Sequence, residues 1–357
     1  MKAVELKALA TLAFAPRPIA MPLLPLAAGR AGAELLLDRA GDLGGFETWR
    51  PDDRRVDAEI ESLERTNTRI VLFGDPSYPP PLLNVRDAPL CLHIRGDMPD
   101  PGKTCVAIVG SRASGRNCLS FTRDIARQLG MAGVPVVSGM ARGVDAAAHW
   151  GCLDGGERTV AVLGCGADVC YPPDNRDLMD RILRDGAVVS EFPMGTPPIP
   201  GHFPARNRIV SGLCAGTVVV EAARTGGGLI TAKCATDQNR TVLAVPGAVW
   251  NPLSVGPNGL IKDGAAPVMT ADDILEEIFG IMPRSGSARA VPQPPLSGGE
   301  EVLLALLDYD SARHIDEIAR LGRMPASKAL PVLLDLEMKG LAVQLRGLRF
   351  QRVGGGA

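Results

Sequence analysis

Four short segments of this 357-residue chain gather the residue types that handle an anion. The first is Gly110-Ser111-Arg112, and the second runs from Ser138-Gly139 through Arg142-Gly143 to Asp145, with His149 four residues on. The third is Phe203-Pro204-Ala205-Arg206-Asn207-Arg208, and the fourth is Thr225-Gly226-Gly227-Gly228 followed by Thr231 and Lys233. Arginine offers a planar fork that matches phosphate, glycine lets a backbone come close, and hydroxyls and main-chain N–H groups complete the coordination. Ser138, Asp145 and His149 also suggest a hydrolase triad. Ser138 lacks the GxSxG elbow, however, and Asp145 and His149 are four apart on one expected helix. They read instead as a loop-fixing residue and a helix-packing polar group.

Each segment has a plainer reading beside the functional one. Arg206 and Arg208 could belong to structural ion pairs with Glu191 or Glu221. Phe203 could stack on a base or plug an apolar gap. The glycines form neither a complete GxGxxG fingerprint nor a GxxxxGK[ST] loop, so phosphate hydrolysis of the P-loop kind is unsupported.

These segments follow β-branched runs that must position them: Val106 to Val109, Val134 to Val137, Thr159 to Leu163, Ala187 to Ser190, Thr217 to Val220 and Thr241 to Val245. Helical stretches separate the runs, as near Leu119 to Gly130. Continuous apolar strands alternating with helices predict an α/β fold, a doubly wound parallel sheet covered on both faces. In such a sheet, ligands sit beyond the carboxyl ends of the strands, where helix N-termini present unpaired N–H groups.

Residues 1–69 read as a small helical domain, with Leu6, Leu9 and Leu12 at helical spacing. The sheet-bearing core is expected over 70–282, and a linker rich in Pro, Gly and Ser over 283–298. A last domain over 299–357 should open with a Ser297/Glu300 capping box, followed by helices at Ile315 to Arg320 and Ser327 to Lys339. A hairpin about Arg346-Gly347 completes the pattern of a winged helix.

Composition excludes several classes. Lys and Arg number 38 against 40 Asp and Glu, a net charge of -2, so any contact with nucleic acid rests on a local patch. The eight cysteines form no CxxC pair, and the four histidines are scattered, so neither a metal site nor a disulfide framework is expected. The N-terminal segment only faintly imitates a signal peptide, and no apolar run reaches the length of a membrane span. The chain reads as cytoplasmic.

Several strings in order resemble the DNA-processing protein A (DprA/Smf) family. They are Ile108-Val109-Gly110-Ser111-Arg112, the Ser138 to Asp145 segment with His149, Tyr171-Pro172 with Asn175, and Ser190-Glu191. Phe203 to Leu213, Thr225 to Ala232, Val245-Pro246-Gly247 and Gly256 to Ala265 continue the likeness, which spans about 70 to 275. The resemblance implies an extended Rossmann-like core that binds single-stranded DNA, is not an enzyme and needs no cofactor. It further implies protection of incoming single strands, loading of the RecA recombinase during natural transformation, and a homodimer formed through the core. It makes the N-terminal helices SAM-like and the C-terminal module a winged helix. The competing expectation is a nucleotide-binding or nucleotide-hydrolysing enzyme of the lysine-decarboxylase-like group. That group's PGGxGTxxE motif carries a catalytic carboxylate, whereas here Leu229-Ile230-Thr231-Ala232-Lys233 follows the glycines.

Overall fold

The computed structural model describes residues 3–28, 32–42, 51–280, 296–309 and 311–352. The linker expected over 283–298 falls mostly outside them. The described residues form two compact units, one of residues 3–114 with 122–280 and one of residues 115–121 with those from 296 onward.

The first unit opens with α1 (Ala3–Leu12), α2 (Arg17–Ala28), α3 (Ala33–Asp42) and α4 (Asp53–Thr66). Leu9, Leu12, Leu23, Leu36 and Leu63 recur on the inward faces of these helices and are buried in one cluster, which continues into the sheet through Ile70 and Ile94. Each such side chain contributes about 1.5–3 kcal/mol by leaving water. Asp52 caps α4 by accepting the Arg55 N–H at 2.8 Å. Deeper, the Glu59 carboxylate of α4 meets His93 Nε2 at 2.7 Å and also accepts the Met194 N–H, joining helix, strand and loop.

The sheet comprises β1 (Thr68–Leu72), β2 (Cys91–Gly96), β3 (Cys105–Val109), β4 (Val136–Ser138), β5 (Thr159–Leu163), β6 (Ala187–Ser190), β7 (Cys214–Val219), β8 (Thr241–Ala244) and β9 (Ala266–Pro267). Its spatial order is β1-β2-β6-β5-β4-β3-β7-β8-β9, parallel from β6 to β9. The six expected strands are present, β5 and β6 with the expected bounds and the other four with ends moved by up to three residues. An all-parallel sheet is corrected at one edge, where β1 and β2 run antiparallel and β2 pairs with β6 through His93↔Ser190. The interleaved helices are α5 (Arg116–Met131), α6 (Val144–Asp154), α7 (Arg176–Asp185), α8 (His202–Gly212), α9 (Gly227–Asp237), α10 (Val255–Lys262) and α11 (Ala271–Phe279). Parallel strands need long crossovers, and these helices supply them. From β3 the chain winds outward through β4, β5 and β6, then returns to lay β7 on the other flank of β3. The winding therefore reverses between β3 and β7.

The second unit holds α12 (Gly298–Leu306), β10 (Arg313–His314), α13 (Ile315–Leu321), α14 (Ala326–Met338), β11 (Ala342–Leu345) and β12 (Arg349–Arg352), with strand order β10-β12-β11. Leu303, Ile318, Leu333, Leu336 and Phe350 form its core. The expected capping box closes α12: Glu300 N–H donates to Ser297 Oγ at 3.4 Å, and Ser297 N–H to the Glu300 carboxylate at 2.7 Å.

Candidate nucleic-acid cleft

A cavity of about 380 Å³ opens where the winding reverses. Its walls come from loops at the carboxyl ends of β3 (Val109, Gly110, Arg112), β4 (Gly139, Ala141, Asp145), β5 (Tyr171) and β7 (Gly227, Gly228, Thr231). The start of α8 adds Phe203, Pro204, Arg206 and Asn207. This is the position at which open α/β sheets bind ligands.

The floor is charged and buried. Arg206, only 4% exposed, donates from Nη1 to the carbonyls of Gly139 and Val162 and from Nε to Asn207 Oδ1 at 3.2 Å. Its Nη2 makes no hydrogen bond among the described residues, which leaves that donor to a ligand in the cavity it lines. Burial lowers the Arg206 pKa while the Asp145 charge opposes the fall. Burial raises the Asp145 carboxyl while Arg206 holds it down. Gly139 is required by this packing, because a Cβ there would lie inside the tethered guanidinium.

Three helices point into this region from starts without a capping side chain: α6 at Gly143, α8 at Gly201 and α9 at Gly226. Helix starts carry a partial positive charge and N–H groups that favour an anion. At α6 the Val144 N–H is taken up by the Ser111 carbonyl at 3.2 Å and at α8 the His202 N–H by the Ile199 carbonyl at 2.9 Å, so α9, whose Gly227 and Gly228 line the cavity, presents the open start. Gly143 has φ +80°, and a side chain there would also strike the Ser111 carbonyl. The rim is aromatic and cationic. Tyr171 and Phe203 sit with ring centroids 5.5 Å apart, and the exposed Arg112 guanidinium lies 5.5 Å from the centre of the Phe203 ring. Arg112 has no ion-pair partner among the described residues.

The expected site residues divide accordingly. Gly110, Arg112, Gly139, Arg206, Asn207, Gly227, Gly228, Thr231 and Phe203 line the cavity with Asp145. Arg142 reaches an adjoining smaller cavity of about 60 Å³, with its guanidinium 2.6 Å from Asp174. Gly143 and Gly226 cap helices rather than lining the cavity. Thr225 is exposed on the loop before α9, and Ser111 Oγ accepts the Ala113 N–H at 3.1 Å.

Three residues expected to bind phosphate stand elsewhere. Arg208 is 5% exposed, 2.5 Å from Glu191 and 3.4 Å from Asp87, because a two-residue step on α8 turns it about 200° from Arg206. Ser138 is fully buried with its hydroxyl donating to the Ile108 carbonyl at 2.6 Å. Lys233 lies six residues into α9, about 9 Å along the helix from its start, and faces solvent.

The loop-structuring set has mixed partners. Asp145 accepts the Ala141 N–H at 3.3 Å, and the Glu221 carboxylate accepts the Asn251 amide at 3.1 Å. His149 is fully buried, its Nδ1 2.7 Å from the Thr159 hydroxyl, and burial pushes its pKa down to about 3. It is neutral and outside the cavity, which removes it from any triad. Tyr171 is the lining residue that residue-by-residue reading passed over. Its signal was available, since Tyr171-Pro172 follows the carboxyl end of β5, as the other lining segments follow β3, β4 and β7.

Comparison with known proteins agrees with this architecture. A family model described as DNA recombination-mediator protein A matches residues 69–279, and a DprA winged helix domain model matches residues 287–347. Protein Smf of Escherichia coli is 36% identical over 300 residues, covering 82% of this chain and 80% of that protein. The DNA processing protein DprA of Streptococcus pneumoniae is 37% identical over 252 residues, 68% of this chain and 87% of that protein. The X-ray structure of DprA from Streptococcus pneumoniae superposes with TM-score 0.66 at 33% identity over 78% of this chain and 99% of that one. DNA processing protein A of Helicobacter pylori, described with a unique single-stranded DNA binding mode, gives TM-score 0.53 at 26% identity over 60% of this chain and 96% of that one. The chain belongs to the DNA recombination-mediator protein A (DprA/Smf) family.

Proposed function

We propose that this protein binds single-stranded DNA in the cleft between β3 and β7, without regard to sequence, and presents it to the RecA recombinase during DNA uptake. The observation that carries the reading is the convergence of unengaged donors on one concavity. Arg112, Arg206 Nη2 and the uncapped start of α9, whose Gly227 and Gly228 form part of the wall, all address the same cavity. A phosphodiester backbone is the ligand with enough acceptors to use them. The Tyr171–Phe203 pair gives a base a face to lie on, which favours a single strand over a duplex whose bases are already stacked. The relative from Helicobacter pylori supports the same choice of ligand.

Backbone contacts carry no base information, so affinity should vary little with sequence. The role is one of binding, protection and delivery in the cytoplasm, by a homodimer formed through the core, with no cofactor or catalytic step. A nucleotide-hydrolysing reading would need a carboxylate aimed at the bound phosphate. The cavity offers Asp145, whose carboxylate is tied to the Ala141 N–H at 3.3 Å.

The test is fluorescence anisotropy on a labelled strand of about 30 nucleotides, single and then duplex, across a salt series. Arg112→Ala should weaken single-strand binding about tenfold for every sequence and flatten the salt slope by about 0.7. Its melting temperature should not move, because the side chain is exposed. Equal affinity for duplex and single strand, or indifference to Arg112→Ala, would remove the cleft as the binding site.

A further inference from the structure

The loop between β8 and α10 ends in a tip whose two large apolar side chains stand in water. Val249 is 83% exposed and Trp250 is 79% exposed. Isolated apolar residues on a surface are ordinary, but this pair is held up by a frame. At one end Gly247 and the Asn258 amide exchange two hydrogen bonds of 3.0 and 2.9 Å. At the other, Asn251 donates its backbone N–H to the Ala248 carbonyl at 2.9 Å and its amide to Glu221 at 3.1 Å, and Leu253 accepts the Ala222 N–H at 2.7 Å. An indole fixed by its loop, with only two side-chain torsions, loses little freedom when a partner covers it.

That second set of bonds also fixes where the tip stands. Glu221 and Ala222 begin the β7–α9 loop, whose far end is Gly227 in the cleft wall. Ala222 and Gly227 are five steps apart along the chain, at most about 18 Å when extended. Between them is Arg224, exposed and without a partner among the described residues. One Glu221 carboxylate oxygen accepts the Asn251 amide and the other is buried, so the side chain is part of the frame that holds the tip. The order along the surface is therefore cleft, cation, then flat aromatic ring.

We propose that Trp250 is a second base-stacking station for single-stranded DNA, taking a nucleobase from the strand as it leaves the cleft, with Arg224 on the phosphate between. The station extends the bound track by a few stacked nucleotides at about 3.4 Å each. This inference rests on the single-strand reading of the cleft. A nucleobase suits the site better than a protein surface, since the exposed apolar area is one ring with its neighbour Val249, and Arg224 on the adjoining loop can take the phosphate.

The experiment titrates a labelled thymidine strand of about 20 nucleotides, longer than the cleft alone can hold, against the full chain and three variants. Trp250→Ala should weaken binding about tenfold, and Trp250→Phe should recover most of the loss because stacking needs a ring and not the indole N–H. The strand should also quench intrinsic tryptophan fluorescence in the parent protein and much less in Trp250→Ala. Arg112→Ala separates the two ideas. If it weakens binding while Trp250→Ala does not, the station is wrong and the cleft stands. If neither weakens binding, the cleft reading has failed and the station with it. Sedimentation velocity without DNA covers the remaining occupant. A Trp250→Ala chain that loses a dimer the parent forms marks the tip as an interface between copies and overturns the stacking role.

Discussion

At the cleft, α6, α8 and α9 all begin on glycine with no side chain capping them, and Arg112 and Arg206 Nη2 address the same cavity. In the winged-helix module, α12 begins under the Ser297/Glu300 capping box and α13 under His314, whose Nδ1 accepts the Asp316 N–H at 3.3 Å. Only α14, entered from Pro325, lacks a side-chain cap there. Several of the module's cations are engaged as well. Lys339 pairs with Glu300 at 2.7 Å, Arg313 donates to the Leu306 carbonyl at 2.8 Å, and Arg352 lies over the Tyr309 ring at 4.8 Å. The two regions use the same donor types for different ends. Where donors are satisfied internally, the chain gains stability. Where they converge unsatisfied on a concavity, it keeps them for a ligand.

Arg206 and Arg208 sharpen the contrast within one helix, and Arg208 gives the largest expected effect. Its removal leaves Glu191 without its cation, and Asp87 with Arg17 alone, in a setting where only about a twentieth of the arginine reaches solvent. Losing one partner of a buried pair costs about 3 kcal/mol. Arg208→Ala should lower the urea midpoint accordingly and leave the single-strand affinity of the folded protein near that of the parent at low temperature. Loss of affinity in a variant of unchanged stability would place Arg208 with the ligand and erase the distinction.

How much of this was legible in the sequence follows from what each inference needed. Strands such as Thr159–Leu163 and Ala187–Ser190 announce themselves as apolar β-branched runs, and the rule about carboxyl ends then places the loops that build the cleft. The opposed directions of Arg206 and Arg208 were within reach too, since helix periodicity alone forbids both from facing one cavity. The antiparallel edge was not. Nothing local in Cys91–Gly96 says that it pairs with β6 rather than continuing the parallel series, because that choice is settled by long-range packing. The half-engaged guanidinium of Arg206 likewise depends on the carbonyls of Gly139 and Val162, which lie far from it in sequence.

His149 tests the interior that backs the cleft. Its pKa falls to about 3 in the fold against 6.5 in the unfolded chain, with burial as the main cause and the Arg206 charge adding to it. Between those values the unfolded chain binds the extra proton, so stability rises with pH there and is lost as pH falls from 6.5 towards 3. The contribution is at most about 1.4 kcal/mol for each pH unit of acidification. His149→Phe, which cannot titrate, should be less stable at neutral pH and show a shallower fall in urea midpoint from pH 6.5 to pH 4. Parallel slopes for parent and variant would mean that His149 takes up its proton without unfolding, and that the pocket behind α6 is wetter than its burial indicates.

The smallest effect comes from the capped helix of the winged-helix module. Ser297→Ala removes the hydroxyl that receives the Glu300 N–H and so uncaps α12, at a cost of about 1 kcal/mol. Glu300 keeps its ion pair with Lys339, which holds its carboxyl below the usual range and limits the damage to the cap. Thermal unfolding should show the module's transition shifted down by a few degrees, while anisotropy with single-stranded DNA stays at the parent value. The same change in kind at the cleft would run the other way. Gly226→Ser would supply α9 with the capping oxygen it lacks, satisfying an N–H otherwise open to phosphate, so affinity should fall; its Cβ would lie 3.1 Å from the Ala223 carbonyl oxygen, which offsets the gain of the cap and leaves stability near that of the parent. The opposed readouts of the two substitutions, stability lost in one and affinity in the other, are the sharpest form of the comparison, because a shared effect on general stability would move both readouts together in both variants.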